Sequence, residues 1–423
     1  MTRTIRPAKW LVTGTALAGA VLPGSASAAG FDTPILYSAR HQAMGGTAIA
    51  SVSDPSAGFH NPAGLQGVKG LAFIGDFSMI LGKVRATPDA DFSGNLESKT
   101  VVAPFFLLGG AYRVHDWVTL GIAAFPVASG GAEYRYSAGS QPWIDKTEII
   151  FFETTPMLSL NIPKDRLLPG KLSFGAGYRF SYVTFDREKG PPDNPVFLNL
   201  KLKGTNFSGV RFGVQYQPIE ALKLGLVFRN KVVVGTEADS VTVGVTQATD
   251  ASLDFVLPAK LGFGARFDWR RLGLATDVEW ALQSQNTRSP LRGMLQTPDG
   301  AMPQAVPNVF DWQNGVTLRY GVEYRVGAEE EFPLRIGYIY DTKVTNPTYP
   351  SAFGTPPAAT HTATAGVGYR RPTWQVNAAF TRRMGSSQVE ATDNLSCAFC
   401  GYPGKYQITM TGFYVDASVD LPI

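Results

Sequence analysis

Several things are scarce in this chain of 423 residues, and each scarcity removes a class of function. Only four histidines and two cysteines occur. His41, His60, His115 and His361 are far apart and show no ligand spacing, and Cys397 and Cys400 would need two more partners, so no metal site and no cofactor is expected. No run of about 18 apolar residues exists, which excludes a helical membrane span. Charged residues make up 17%, below the roughly 25% usual for soluble domains. The net charge of +4 is small and the basic residues are scattered, so no nucleic-acid footprint is present. In abundance are glycine, at 45 residues, and aromatics, at 12%. A large, weakly charged, glycine- and aromatic-rich chain without apolar runs suits a transmembrane β-barrel.

The first residues read as an export signal. Arg3, Arg6 and Lys9 precede an apolar run from Trp10 to Leu22, Pro23-Gly24 breaks it, and Ala26-Ser27-Ala28 has the small-x-small form of a cleavage site. Residues 1–28 are therefore expected to be removed, leaving a mature start at Ala29. No cysteine lies near the cut, so a lipid anchor is not expected. In an exported protein the "CAFC" pair Cys397 and Cys400 reads either as a local disulfide or as two spare thiols.

From Gly70 onward the pattern has period two. In "KLGFGARFDW" Leu261, Phe263, Ala265, Phe267 and Trp269 share one face, opposite Lys260, Gly262, Gly264, Arg266 and Asp268. "LRYGVEYRV" and "WQVNAAF" repeat this, and apolar faces ending in Trp or Tyr match the interfacial girdles of membrane barrels. Fourteen strands are expected, at about 70–83, 97–113, 117–128, 147–162, 171–186, 204–217, 221–236, 254–269, 272–286, 312–326, 332–344, 361–371, 373–384 and 405–421. Connections after even-numbered strands are short and those after odd-numbered strands are long. Periplasmic turns and extracellular loops require that alternation, and a sandwich does not. The fold class is thus all-β, a fourteen-stranded antiparallel barrel over 70–423.

Residues 29–69 do not alternate. In "SDPSAGFHNPAGLQG", Asp54-Pro55 and Asn61-Pro62 each pair an N-cap residue with a proline suited to the first helical position, so two short helical turns are expected. A disordered tail would be more charged. Small side chains and capped turns suit a plug inside the lumen.

Here the chain resembles the FadL/TodX-type outer-membrane transporters. Ala29-Gly30-Phe31, Gly45-Gly46 and Asn61-Pro62-Ala63 match the start of that family, "DWVTLGIAAFPVASGGAEY" its third-strand region, and "GVEYRV" through "THTATAGVGYR" its C-terminal strands. The resemblance covers most of residues 29–384; the chain departs from outer-membrane barrels in ending on Ile423 rather than an aromatic. It implies a fourteen-stranded barrel closed by an N-terminal hatch. It also implies transport of long-chain fatty acids or aromatic hydrocarbons, a location in the outer membrane and an external capture groove formed by loops. The apolar loops "PPDNPVFLNL" and "VTVGVTQATDASLDFVL" would form that groove. The expected partners are a hydrophobic small molecule and outer-membrane lipid, with no nucleic acid, and the expected state is a monomer.

A polar inner wall holds an apolar molecule poorly, so the informative strands are those apolar on both faces. If Phe106 and Leu108 face lipid in strand two, Phe105 and Leu107 face inward; if Leu120 and Ile122 face lipid in strand three, Phe125 and Val127 face inward. Phe105 and Phe125 are expected to come level across the pair. With Phe31 these four are the candidate substrate-binding residues, and packing of plug against wall is the alternative reading. Lys201, Lys203 and Arg113 could meet a carboxylate head or simply be solvated. Pro126 removes a ladder donor, and Gly130-Gly131 tolerates a kink. The resemblance places a wall opening there, next to Asn61, Pro62 and Ala63, with Asn61 satisfying the freed backbone; alternatively Asn61 only caps its own turn. A general porin and a barrel-type lipid enzyme are the competing functions. No catalytic residue is expected, although His115 and His361 stay open individually.

Overall fold

The computed structural model describes residues 36–88, 96–138, 141–191, 198–243, 246–298, 300–306, 308–347, 357–390 and 404–422. Fourteen strands close a barrel. They are β1 (Leu71–Pro88), β2 (Val101–His115), β3 (Val118–Ala138), β4 (Gln141–Ile162), β5 (Lys171–Gly190), β6 (Leu198–Ile219) and β7 (Leu222–Arg229). The second half holds β8 (Lys260–Trp269), β9 (Leu272–Ala281), β10 (Gly315–Val326), β11 (Phe332–Asp341), β12 (Thr360–Arg370), β13 (Trp374–Val389) and β14 (Gly404–Leu421). Each strand pairs antiparallel with its sequence neighbours, and β1 closes on β14 from Leu71↔Leu421 to Pro88↔Gly404. Closure removes the free edges that lipid would not tolerate.

The two faces separate as the period-two pattern requires. Phe106, Leu108, Leu120 and Ile122 are exposed on the outer wall, while Phe105, Leu107 and Phe125 are buried. Trp117, Trp269, Tyr324, Phe332 and Trp374 stand outward near the short turns. The wall is uneven in height. β4 has 22 residues, about 55 Å along the membrane normal at a tilt of ~40°, whereas β7 has 8. The excess over a hydrocarbon core of ~30 Å stands outside the membrane.

Two of the expected loops are hairpins. Residues 237–253 belong to one formed by Val232–Val243 and Thr246–Leu257, and residues 287–311 contain another formed by Leu291–Thr297 and Gly300–Val306. The expected seventh and eighth strands thus leave the wall near Arg229 and rejoin it at Lys260. Alternation continues through the break, so periodicity alone carries no mark of it.

Residues 36–70 lie against the inner wall. They contain α1 (Ala39–Ala43) and two 3₁₀ turns, Pro55–Gly58 and Pro62–Gly67. The side chain of Asp54 accepts from Ser56 N at 2.9 Å, and that of Asn61 accepts from Ala63 N at 3.1 Å, so both expected caps are present. Neither turn is long enough to hold itself, and the wall supplies the packing. The fit depends on glycine. Gly45 has φ +66° and sits where a Cβ would strike the backbone of β10 and β11; a Cβ on Gly175 of β5 would strike Ala63.

Candidate functional site

The ladder between β2 and β3 is incomplete. It runs from His115↔Val118 up to Leu108↔Ala124 and stops. Above that point β2 stays paired with β1 through Val101, and β3 stays paired with β4 through Ala138. Residues 101–107 and 125–133 therefore face one another without pairing. The gap is bounded above by the Ser98↔Tyr134 bridge and by Lys99 N donating to Glu133 O at 2.8 Å. The cause is local. Pro126 has no N–H to give, and a bulge between Pro126 and Ala128 takes Val127 out of register with β4.

Phe105, Leu107, Phe125 and Val127 are all buried and belong to one apolar cluster at this gap. One detail differs from expectation. Continuing the register would set Leu107, not Phe105, level with Phe125, and the ladder ends before either row. Phe31 lies outside the described residues. Gly130 and Gly131 lie on the unpaired edge of β3, where Gly131 packs against the Thr147 carbonyl of β4.

The apolar cluster extends upward. It includes Phe151 of β4, Phe185 of β5, Leu202 of β6 and Phe255 of the hairpin, with the Phe185 and Phe255 rings 4.9 Å apart. Leu253, Phe255 and Leu257 are thereby turned into the interior, not presented as an exposed groove. Downward it reaches the hatch. Tyr37 and Phe59 stand 5.1 Å apart, and each contacts Phe125, at 5.8 and 5.4 Å. The result is an apolar column from the extracellular hairpin to the hatch, with the β2–β3 gap in its side.

Asn61 is not at the gap. Its side-chain amide donates to Ile49 O (2.8 Å), Val214 O of β6 (3.2 Å) and Leu226 O of β7 (3.3 Å). Pro62 and Ala63 pack against β4, β5 and β6, where Ser173 donates to Ala63 O at 3.0 Å. The carbonyl freed at Pro126 is satisfied instead by Tyr37, whose hydroxyl donates to it at 2.6 Å. The family-based expectation for Asn61 is corrected on that point: its side chain caps its own turn and ties the hatch to β6 and β7. Tyr37 had no sequence signal beyond being an aromatic in a small-residue segment. Phe59 had the same signal, and it stands beside the Asn-Pro element.

Charge is buried close by. Glu153, level with Phe125 on β4, pairs with Arg179 and lies 3.8 Å from Arg211, whose guanidinium sits 6.0 Å from the Phe59 ring. Among the described residues Arg211 Nη1 has no hydrogen-bond partner. A cavity of about 50 Å³ opens here, lined among others by Phe59, His60, Arg211 and Glu279. Burial pushes the His60 imidazole down to about 3, so it is neutral, and its Nε2 donates to Tyr37 O at 2.8 Å. Arg113 is committed to the hatch, donating to Val68 O (2.6 Å) and Gln66 O (2.5 Å). Lys201 and Lys203 are exposed. His115 and His361 are both exposed, the first beside Trp117 and the second against Tyr338, away from the interior. Cys397 and Cys400 lie outside the described residues.

The opposite side of the hatch is held by polar contacts. Asp416 of β14 accepts from Ser38 Oγ (2.6 Å) and Arg40 N (3.1 Å), and Asp277 of β9 accepts from Ala48 N (2.8 Å) and Ile49 N (3.1 Å). A chain of buried partners continues from Asp416 through Asn377, Arg335 and Glu323 to Arg266.

Residues 19–419 match the model of the outer-membrane transport protein family OMPP1/FadL/TodX. A Pseudomonas aeruginosa FadL homologue has a similar structure, with a TM-score of 0.70 at 17% identity over 93% of this chain and 100% of that one. The Pseudomonas putida toluene transporter TodX gives 0.67 at 16% over 91% and 99%. The Ralstonia pickettii toluene transporter TbuX gives 0.62 at 14% over 91% and 98%. Comparison with curated proteins gives no significant match.

Proposed function

The chain belongs to the OMPP1/FadL/TodX family of outer-membrane transport proteins, and on that premise we propose that it passes long-chain fatty acids or similar hydrophobic molecules inward by capture in the apolar column and sideways release between β2 and β3. The observation that carries this reading is the coincidence of the column with the unpaired edges: Phe125 and Val127 belong to both. An apolar substrate gains nothing by entering the aqueous periplasm. Moving sideways into lipid keeps it out of water, a difference of about 0.8 kcal/mol per CH₂. Unpaired backbone facing lipid costs several kcal/mol per group, so any opening must be short and its polar groups answered. Tyr37 answers the Pro126 carbonyl. The described part of the hatch, residues 36–69, packs inside the barrel against the wall, and a segment placed there disfavours a general porin. The column is filled with side chains and the cavity beside it is far below the 300 Å³ of a ligand pocket, so passage requires the hatch or the Phe59–Phe125 contact to yield.

The unpartnered Arg211 nitrogen beside Phe59 favours a substrate with an acidic head over a plain hydrocarbon. The test is uptake by cells that depend on this protein, with labelled oleate and labelled toluene compared, together with mass spectrometry of lipids that co-purify. Uptake of oleate above the level of a barrel-less strain is expected. Uptake of neither compound, with only small sugars or ions passing, would contradict the reading.

A further inference from the structure

The outer wall carries a basic recess apart from the apolar column and the β2–β3 gap. It is formed by β1, β12, β13 and β14, has a volume of about 820 Å³, and is lined by Leu81, Lys83, Arg85, Arg382 and Met384 among others. Alternation fixes its side of the wall. Phe73 and Phe77 are exposed on β1, so Leu81, Lys83 and Arg85 follow them outward; Phe380 is exposed on β13, so Arg382 and Met384 do the same. Its height follows from the register. Phe73 pairs with Val419, which pairs with Trp374 in the periplasmic girdle. Lys83 lies ten residues further along β1, about 33 Å of strand and ~25 Å of membrane normal at a tilt of ~40°, which is the height of a barrel's apolar band. Lys83 and its neighbours therefore stand at the headgroups of the outer leaflet.

We propose that this recess binds the phosphorylated glycolipid of the outer leaflet, with the phosphates on Lys83, Arg85 and Arg382 and acyl chain along Leu81 and Met384. The inference is independent of the transport reading. Among the described lining residues Glu97 is the one carboxylate. It lies 2.6 Å from Lys83 and 3.0 Å from Arg85, and it gathers the two cations at one edge. Arg382 stands at the other edge, held by a 2.6 Å bond from Nη1 to Thr411 Oγ1. Lys405, exposed two positions above Gln407 on β14, adds a further cation. Two groups of positive charge set across an apolar floor match a headgroup that bears phosphates above several chains, and Arg favours phosphate through its paired donors. A single-phosphate lipid would engage only one edge.

The experiment uses the full mature protein in detergent and measures the Kd for rough-type lipopolysaccharide, for the same lipid after phosphatase treatment, and for phosphatidylglycerol. Wild type is expected to prefer the phosphorylated glycolipid at least ten-fold over both others. The triple variant Lys83→Ala, Arg85→Ala, Arg382→Ala should lose that preference while keeping heat-modifiable gel mobility and substrate uptake. Glu97→Gln should tighten binding several-fold, which a folding defect could not mimic. Equal affinity for phosphorylated and dephosphorylated lipid, equal binding of phosphatidylglycerol, or weaker binding in Glu97→Gln would overturn the proposal.

Discussion

The two halves of the barrel interior treat the same hatch differently. Along β8 to β14 the wall meets it with Asp277 and Asp416, each accepting two donors from hatch residues, backed by the buried chain from Asn377 to Arg266. Along the gap between β2 and β3 the wall presents Phe105, Leu107, Phe125 and Val127, and the ladder is open; hydrogen bonds to the hatch there are those of Pro126 O with Tyr37 and, at the foot of β2, of Arg113 with Gln66 and Val68. Directional bonds fix position; dispersion contacts allow sliding at small cost. The polar half therefore anchors the hatch more firmly than the apolar half does. The link between them is the aromatic group of Tyr37, Phe59 and Phe125.

Removing the hatch erases the difference altogether. Deletion of residues 29–69 should give large steady conductance in planar bilayers where the intact protein conducts little; equal conductance in both would mean that the segment does not occlude the lumen. A milder break unseats one corner. Asn61→Asp sets a carboxylate against the Ile49, Val214 and Leu226 carbonyls that the amide now serves, and each buried group left unpaired costs about 1–3 kcal/mol. Channel openings should become frequent in Asn61→Asp and rarer but present in Asn61→Ala, whereas silent records from both would show that this anchor is dispensable.

On the apolar half the effects are smaller and fall on affinity. Losing a buried or half-buried ring costs about 1–3 kcal/mol, so Phe125→Ala and Phe59→Ala should each weaken oleate binding roughly ten- to hundred-fold while gel mobility stays that of a folded barrel. Unchanged affinity in both would move the ligand out of the column.

Most of the architecture was legible because the chain repeats one physical rule. Outward and inward residues alternate, turns at one end are short, and both facts are local. The N-caps at Asp54 and Asn61 were legible for the same reason. What was hidden depends on tertiary placement. The hairpin Val232–Val243 with Thr246–Leu257 keeps the same alternation as the wall, so its departure leaves no trace in the pattern. Pro126 marked the weak point of β3, yet its partner Tyr37 lies 89 positions away and the family resemblance pointed to Asn61 instead. The level of Phe105 against Phe125 was misjudged by two residues of register, since the ladder continued from Leu108↔Ala124 would set Leu107 there, and pairing stops before that row.

If substrate leaves between β2 and β3, a reversible bridge across the gap should stop it. Ala103→Cys and Ser129→Cys put one thiol on each unpaired edge, in a Cys397→Ser, Cys400→Ser background. A short bis-thiosulfonate reagent would join them, and a reductant would release them. Oleate uptake should fall to the level of cells lacking the protein when the bridge is formed and return on reduction, while binding to the purified bridged protein persists. Full uptake through the bridged barrel would contradict the account and require another exit.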